Sequence, residues 1–251
     1  MNDPDILVCF CTYDRYEILK QSLDSMFSDP GMRFRLWVLD NGSAFSNMYP
    51  TDEYAHSGKK QVEYLMSLYS EGKIEKLILL DRNVGINHAI NELMALAKLS
   101  SMDPPINPPN FVFRTNDDMI YEPGWLKQSY QSLLDCENYP NGKVTVMSPF
   151  HCCYSNGDLA PGMETIDKWT YNNTTYEIKN NASGNTWLMR GDTWLNLFGF
   201  LPTYNAIDGG DWNDLGINNA HGFKCAVTPV EMAHHHIEAT GTGKFNRLTH
   251  W

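Results

Sequence analysis

Residues 6–137 alternate short apolar runs with amphipathic helical patterns, and that alternation constrains the fold more than any other feature of the chain. The runs at 6–11, 35–39, 76–80 and 111–114 have the length and composition of buried strands. Between them Ile18, Leu19, Leu23, Met26 and Phe27 form one helical stripe, and Val62, Leu65, Met66 and Tyr69 a second. Ile86, Ile90, Leu93, Met94 and Ala97 form the clearest. All three stripes read as core faces. Strand–helix alternation predicts parallel strands joined by crossover helices, hence an α/β fold whose mostly parallel sheet is flanked by helices.

The second half is less regular. Further strands are expected at 144–147, 186–189 and 224–228. Residues 148–184 are polar and rich in Asn, Tyr and Gly, which reads as a functional insertion or a small hairpin.

The strand exits carry the chemistry. In an open parallel sheet, ligands bind beyond the carboxyl ends of the strands. The four exits here are Cys11-Thr12-Tyr13-Asp14-Arg15, Asp40-Asn41-Gly42-Ser43, Asp81-Arg82-Asn83-Val84-Gly85 and Asn116-Asp117-Asp118. One polar exit is an ordinary capped turn; four at one rim describe a site. In an extended backbone Asn116 and Asp118 would point the same way, as a hard oxygen pair suited to Mg2+ or Mn2+. Asp40 is placed to accept the imino N–H of a uracil or guanine. His234 and His236 would share a face in an extended segment, and either could complete the cation site. Neither GxGxxG nor GxxxxGKS occurs, so phosphate would be held by a metal and helix N-termini.

Composition narrows the partners. With 251 residues, 42% of them hydrophobic, the chain can bury one sizeable core. A net charge of −11 argues against a broad nucleic-acid footprint or an anionic membrane surface. No signal-peptide pattern opens the sequence, and no run approaches the ~18 apolar residues of a membrane span. The six cysteines lack metal or disulfide spacing. A cytoplasmic location is expected.

The ordered segments ILVCFCTYDR, LWVLDNGS, LLDRNVGINHAIN and FRTNDDMIYEPGWL resemble the family 2 glycosyltransferases of the GT-A fold. The resemblance continues through GNTWLMRGDTWLNLFGF, GGDWNDLGINNAHGF and the late histidine run, over roughly residues 5–237. It implies a GT-A type, Rossmann-like single domain spanning 1–251. Its nucleotide-sugar-binding half would cover about 5–137 and its irregular acceptor-binding half about 138–237, with a tail at 238–251.

Residue by residue, the resemblance assigns Asp118 to the cation and Asp117 to the donor ribose or sugar. Asn116 stands where the family has Asp. Thr12, Arg15 and Asp40 would line the nucleotide pocket, with Arg82, Asn83 and Gly85 nearer the donor. The catalytic base would be Asp211 or Asp214, with Gly210 where Glu is usual. Trp187 and Trp212 are expected in the sugar pocket; Trp169, Tyr171, Tyr176 and Trp194 also lie toward the acceptor side.

The implied activity is metal-dependent, inverting transfer of a hexosyl or pentosyl group from a nucleotide-sugar, UDP-sugar preferred. The acceptor would be a soluble hydroxyl on a glycan, a protein or a hydroxylated nucleobase in DNA; nucleic acid enters only as acceptor. A sugar-1-phosphate nucleotidyltransferase is the second reading, but Tyr13–Arg15 lacks its Gly-rich, basic signature. A non-catalytic carbohydrate- or nucleotide-binding protein is the third, supported by Asn116 and Gly210.

Overall fold

The computed structural model describes residues 4–45, 57–102, 109–151, 164–181, 186–197 and 221–235. Strand β1 (Ile6–Thr12) is buried along its whole length, as a central strand covered on both faces must be. Its period-two alternation feeds two cores. Ile6, Val8 and Phe10 meet helices α1 (Tyr16–Ser28), α2 (Ser57–Ser70) and α4 (Trp125–Cys136) through residues such as Leu19, Leu23, Leu65 and Leu126. Leu7, Cys9 and Cys11 face Ala89, Ile90, Leu93 and Ala97 of α3 (Ile86–Met102) and Trp194 of α5 (Gly191–Leu197). Trp194, placed on the acceptor side by the sequence, is thus part of a core.

Beside β1 run β2 (Arg35–Asp40) on one side and β4 (Phe111–Asn116) on the other, both parallel to it. The edge strand β3 (Lys76–Leu79) pairs parallel with β2. The chain therefore builds outward from β1 and then returns to its far side, which opens a crevice at the carboxyl ends of β1 and β4. The remaining strands are β5 (Met119–Tyr121), β6 (Val144–Ser148), β7 (Thr165–Tyr171), β8 (Thr174–Lys179), β9 (Thr186–Arg190), β10 (Lys224–Val227) and β11 (Ala233–His235). Strand β9 inserts antiparallel between β4 and β6, and β10 is parallel to β6. Among the described residues, β8 and β7 complete a nine-stranded sheet with antiparallel pairings. β11 pairs with β5 as a separate ladder. Among the described residues, no helix is long and apolar enough to cross a membrane.

Two expectations are corrected here. The buried stripe of α2 is Gly58, Gln61, Leu65 and Leu68, whereas Met66 and Tyr69 are 45% and 47% exposed. The helix turns its Gly and Gln inward because its first turn abuts the polar strand exits. In the polar stretch Tyr176 is core and Trp169 and Tyr171 pack half-buried against it: β7 and β8 form a hairpin closed by Asn172 and Asn173 at φ 48° and 64°, a turn whose twist suits the strands. Trp169 packs against Tyr139, Tyr171 and Tyr176, and the buried Tyr176 hydroxyl donates to Asp135 at 2.6 Å, fixing the hairpin to α4. Trp187 is likewise fully buried, beneath the Arg114 guanidinium, and fills the core instead of lining a pocket.

Candidate active site

Register fixes the levels. Thr12 pairs with Asp40, and Cys11 pairs with Asn116, so Asp117 emerges level with Thr12. The Thr12 hydroxyl donates to Asp117 Oδ2 at 2.7 Å, and the Tyr13 amide donates to the same oxygen at 3.2 Å. Asp117 and Asp118 form the turn between β4 and β5. The extended alternation expected to align Asn116 with Asp118 therefore stops at Asn116. Arg15 gathers the acidic pair instead: its Nη1 lies 3.2 Å from Asp118 Oδ2 and 3.5 Å from Asp117 Oδ1.

Electrostatics follow from that burial. Asp117 is 4% exposed, and its carboxyl is pushed up to about 6 by burial. The Arg15 charge opposes this shift and the neighbouring Asp118 carboxylate adds to it. Asp118 has one oxygen on Arg15; its Oδ1 is buried and, among the described residues, accepts no hydrogen bond. An orphaned anionic oxygen beside a second carboxylate is a fit for a hard divalent cation. Among the described residues no three His, Cys, Asp or Glu side chains form a ready cage. That also suits Mg2+ or Mn2+, which commonly take one or two carboxylates and complete their shell with phosphate and water.

The opposite side of the cluster is built from β1, β2 and α2. Asp40 is 1% exposed; its Oδ1 accepts from the Ser43 amide and its Oδ2 from Gln61 Nε2, both at 2.8 Å. Burial raises its pKa and these donors oppose the shift. The carboxylate is thus committed inside the protein, where it shapes the short helical turn Ser43–Phe45. Gln61 Nε2 also reaches Ser43 Oγ at 2.8 Å and Thr12 Oγ1 at 3.1 Å, while Gln61 Oε1 accepts from the Arg15 amide at 2.8 Å. Asp14 adopts φ 44°, a left-handed conformation that aspartate tolerates, and its amide donates to Ser43 Oγ at 2.8 Å.

The β3 exit is drawn in by asparagines. Asn41 Nδ2 donates to Asn83 Oδ1 at 3.0 Å, and Asn41 Oδ1 accepts from the Val84 amide at 3.0 Å. Asn83 Oδ1 also takes the amide of Gly85, which sits at φ 83°. Gly42 must lack a side chain, since a Cβ there would lie 2.3 Å from the Arg82 carbonyl carbon. Arg82 and Asn83 stand exposed at the rim.

Thr12, Arg15, Asp40, Asn116, Asp117 and Asp118 therefore converge on one crevice, and Arg82, Asn83 and Gly85 flank it. His234 lies on β11 opposite Ile120 of β5, with Nδ1 3.7 Å from Glu122 Oε1. Asp211, Asp214, Trp212 and His236 lie outside the described residues. Sequence reasoning missed Gln61 and underrated Ser43 and Asn41. The available signal was Gln61 itself, a polar residue three positions after Gly58 and four before Leu65 on one helical face.

No protein-family model and no curated protein matches the sequence. Solved structures do match by shape. The S. aureus protein TarS 1-349 superposes with a TM-score of 0.60 at 14% identity, over 98% of this chain and 64% of that one. GalNAc-T7, solved with UDP, GalNAc and Mn2+, gives 0.62 at 12% identity, over 92% and 44%. The mannosyltransferase PcManGT from Pyrobaculum calidifontis, solved with GDP-Man and Mn2+, gives 0.52 at 17% identity, over 92% and 56%. The chain thus spans less than two thirds of the length of each. It shares the GT-A glycosyltransferase fold with all three.

Proposed function

We propose that the chain is a metal-dependent, inverting glycosyltransferase that moves a hexosyl or pentosyl group from a nucleotide-sugar, UDP-sugar by preference, to an acceptor hydroxyl. The observation that carries this reading is the gathering of Thr12, Arg15, Asp117 and Asp118 at the β1/β4 crevice. Two neighbours of the same fold were solved with a nucleotide or nucleotide-sugar and Mn2+. Residues about 5–137 supply the donor half and about 138–237 the acceptor half.

Asp118 Oδ1, with Asp117 beside it, would hold the cation, which when bound neutralises charge on the diphosphate leaving group. Asp40, Ser43 and Gln61 shape the nucleoside end. Arg82 and Asn83 stand at the rim where the donor would lie. Asp211, or else Asp214, takes the acceptor proton as the sugar carbon is attacked opposite the diphosphate; one carboxylate suffices because a cation-neutralised diphosphate leaves without being protonated. A glycan, a protein or a hydroxylated nucleobase meets the acceptor's chemical requirement.

The test is incubation with Mn2+ and a panel of nucleotide-sugars. Slow nucleoside diphosphate release supports the transferase. Pyrophosphate made from a nucleoside triphosphate and a sugar phosphate would replace it with the nucleotidyltransferase, and binding without turnover with a binding module. Asp118→Ala should abolish Mn2+-dependent UDP binding, while Asp211→Asn should keep that affinity and lower transfer by orders of magnitude. If Asp214→Asn does so instead, the base is Asp214.

A further inference from the structure

Gln61 is fully buried on α2, and its amide faces four groups from both central strand exits. The orientation of that amide is fixed by chemistry. The Arg15 backbone N–H can only donate, so its partner at 2.8 Å is the carbonyl oxygen Oε1. Nε2 then donates its two hydrogens toward Asp40 Oδ2 and Ser43 Oγ at 2.8 Å, with Thr12 Oγ1 at 3.1 Å sharing one of them. Thr12, having accepted from Gln61, donates its own proton to Asp117 at 2.7 Å.

The bonds close a ring. It runs from the Arg15 backbone through Gln61 and Thr12 to Asp117, and back through the Arg15 guanidinium at 3.5 Å. The same guanidinium holds Asp118 at 3.2 Å, and a branch from Gln61 holds Asp40. Arg15 donates at both ends of this ring and Asp117 accepts at both; it moves as a unit, because a half-broken network leaves polar groups without water or partner. Asp40 at the base end and Asp118 at the cation end are therefore linked by one side chain from a third element.

We propose that Gln61 is a positioning residue that couples the two ends of the donor cleft, so that nucleoside and metal–diphosphate are gripped together. The proposal rests on the donor reading above. It requires nothing from Gln61 toward the substrate itself; its action passes through Thr12, Asp117 and Arg15.

Calorimetric titration of UDP with and without Mn2+ tests it, read as the factor by which Mn2+ strengthens binding. Gln61→Leu and Thr12→Val each cut the ring at a different link. Each should lower the Mn2+ enhancement on the order of tenfold. The double variant should be no worse than either single one, because one broken link already opens the ring. Losses that add, or an enhancement unchanged in either variant, overturn the proposal. If Gln61→Leu fails to fold, the closer isostere Gln61→Met decides in its place: a retained enhancement overturns the coupling, and a lost enhancement sustains it. Failure of the unsubstituted protein to bind UDP or GDP in Mn2+ would remove the donor reading and the coupling with it, a result distinct from additive losses.

Discussion

Gly58→Ala sets two physical effects against each other, and the structure says which wins. Gly58 lies in the first turn of α2, where alanine is worth about 1 kcal/mol more than glycine in an open helix. A Cβ at this position would fall 1.9 Å from the Ser43 carbonyl oxygen and 2.7 Å from its carbon. Real Cβ contacts stay beyond 3.0 Å, and these neighbours are backbone, so the helix must retreat by about 1 Å. Gln61 sits one turn further on and would be carried along. Its 2.8 Å bonds to Asp40 and Ser43 would then stretch to roughly 4 Å, outside hydrogen-bond range. Overpacking costs about 1–3 kcal/mol, and weakening a buried bond to a charged acceptor about 1.5–3 kcal/mol. After the propensity gain, a net loss of about 1.5–5 kcal/mol remains, or roughly 3–20 °C in melting temperature. Differential scanning calorimetry measures the first quantity, and UDP titration in Mn2+ should show weakened binding in the same variant. A melting temperature equal to or above that of the unsubstituted protein would refute the close approach of α2 to the β2 exit.

Two further outcomes follow from burial and charge elsewhere. The Cys9 and Cys136 thiols are pushed up to about 12 by burial, so alkylation at pH 8 should reach them only on unfolding. Peptide mapping by mass spectrometry reads each site separately, and labelling of native Cys9 as fast as a free thiol would contradict its place in the core. Glu75 takes two bonds from Arg35, at 2.7 and 2.8 Å, and one from Trp37 at 3.1 Å, and these hold its pKa below the ordinary 4.5. A depressed folded pKa contributes stability above about pH 4.5 that is lost as pH falls through the folded value. Glu75→Gln should therefore lower stability at pH 7, by at most about 1 kcal/mol for so exposed a pair and read as a lower melting temperature, and make no difference well below pH 4. A gap that persists in acid would mean that charge is not its source.

The first half of the fold was legible because each strand is a continuous apolar run and each helix carries a period near 3.6. The gathering of the strand exits was legible for a related reason: parallel strands deliver their exits to one rim, so Thr12, Asp40, Asn83 and Asp118 could be grouped from position alone. What escaped was whatever depended on non-local packing. Met66 and Tyr69 looked like core until Gly58 and Gln61 took the inner face of α2. The alternation argument for Asn116 and Asp118 failed because it assumed an extended chain through a turn. Trp187 looked like a sugar platform because an aromatic ring is equally at home in a core, and sequence alone does not say which. β9 could be recognised as a strand, but its antiparallel insertion between β4 and β6 depends on tertiary pairing that no local pattern encodes.

That insertion has a mechanical side. β9 meets β4 along five register positions, Phe111 to Thr115, but meets β6 at a single one, Met147 opposite Leu188. The nine strands are thus two plates riveted unevenly along a common batten, fast to one plate and lightly tacked to the other. Beside that tack the buried Ser148 hydroxyl, donating to the Thr186 carbonyl at 3.0 Å, is a second fastener.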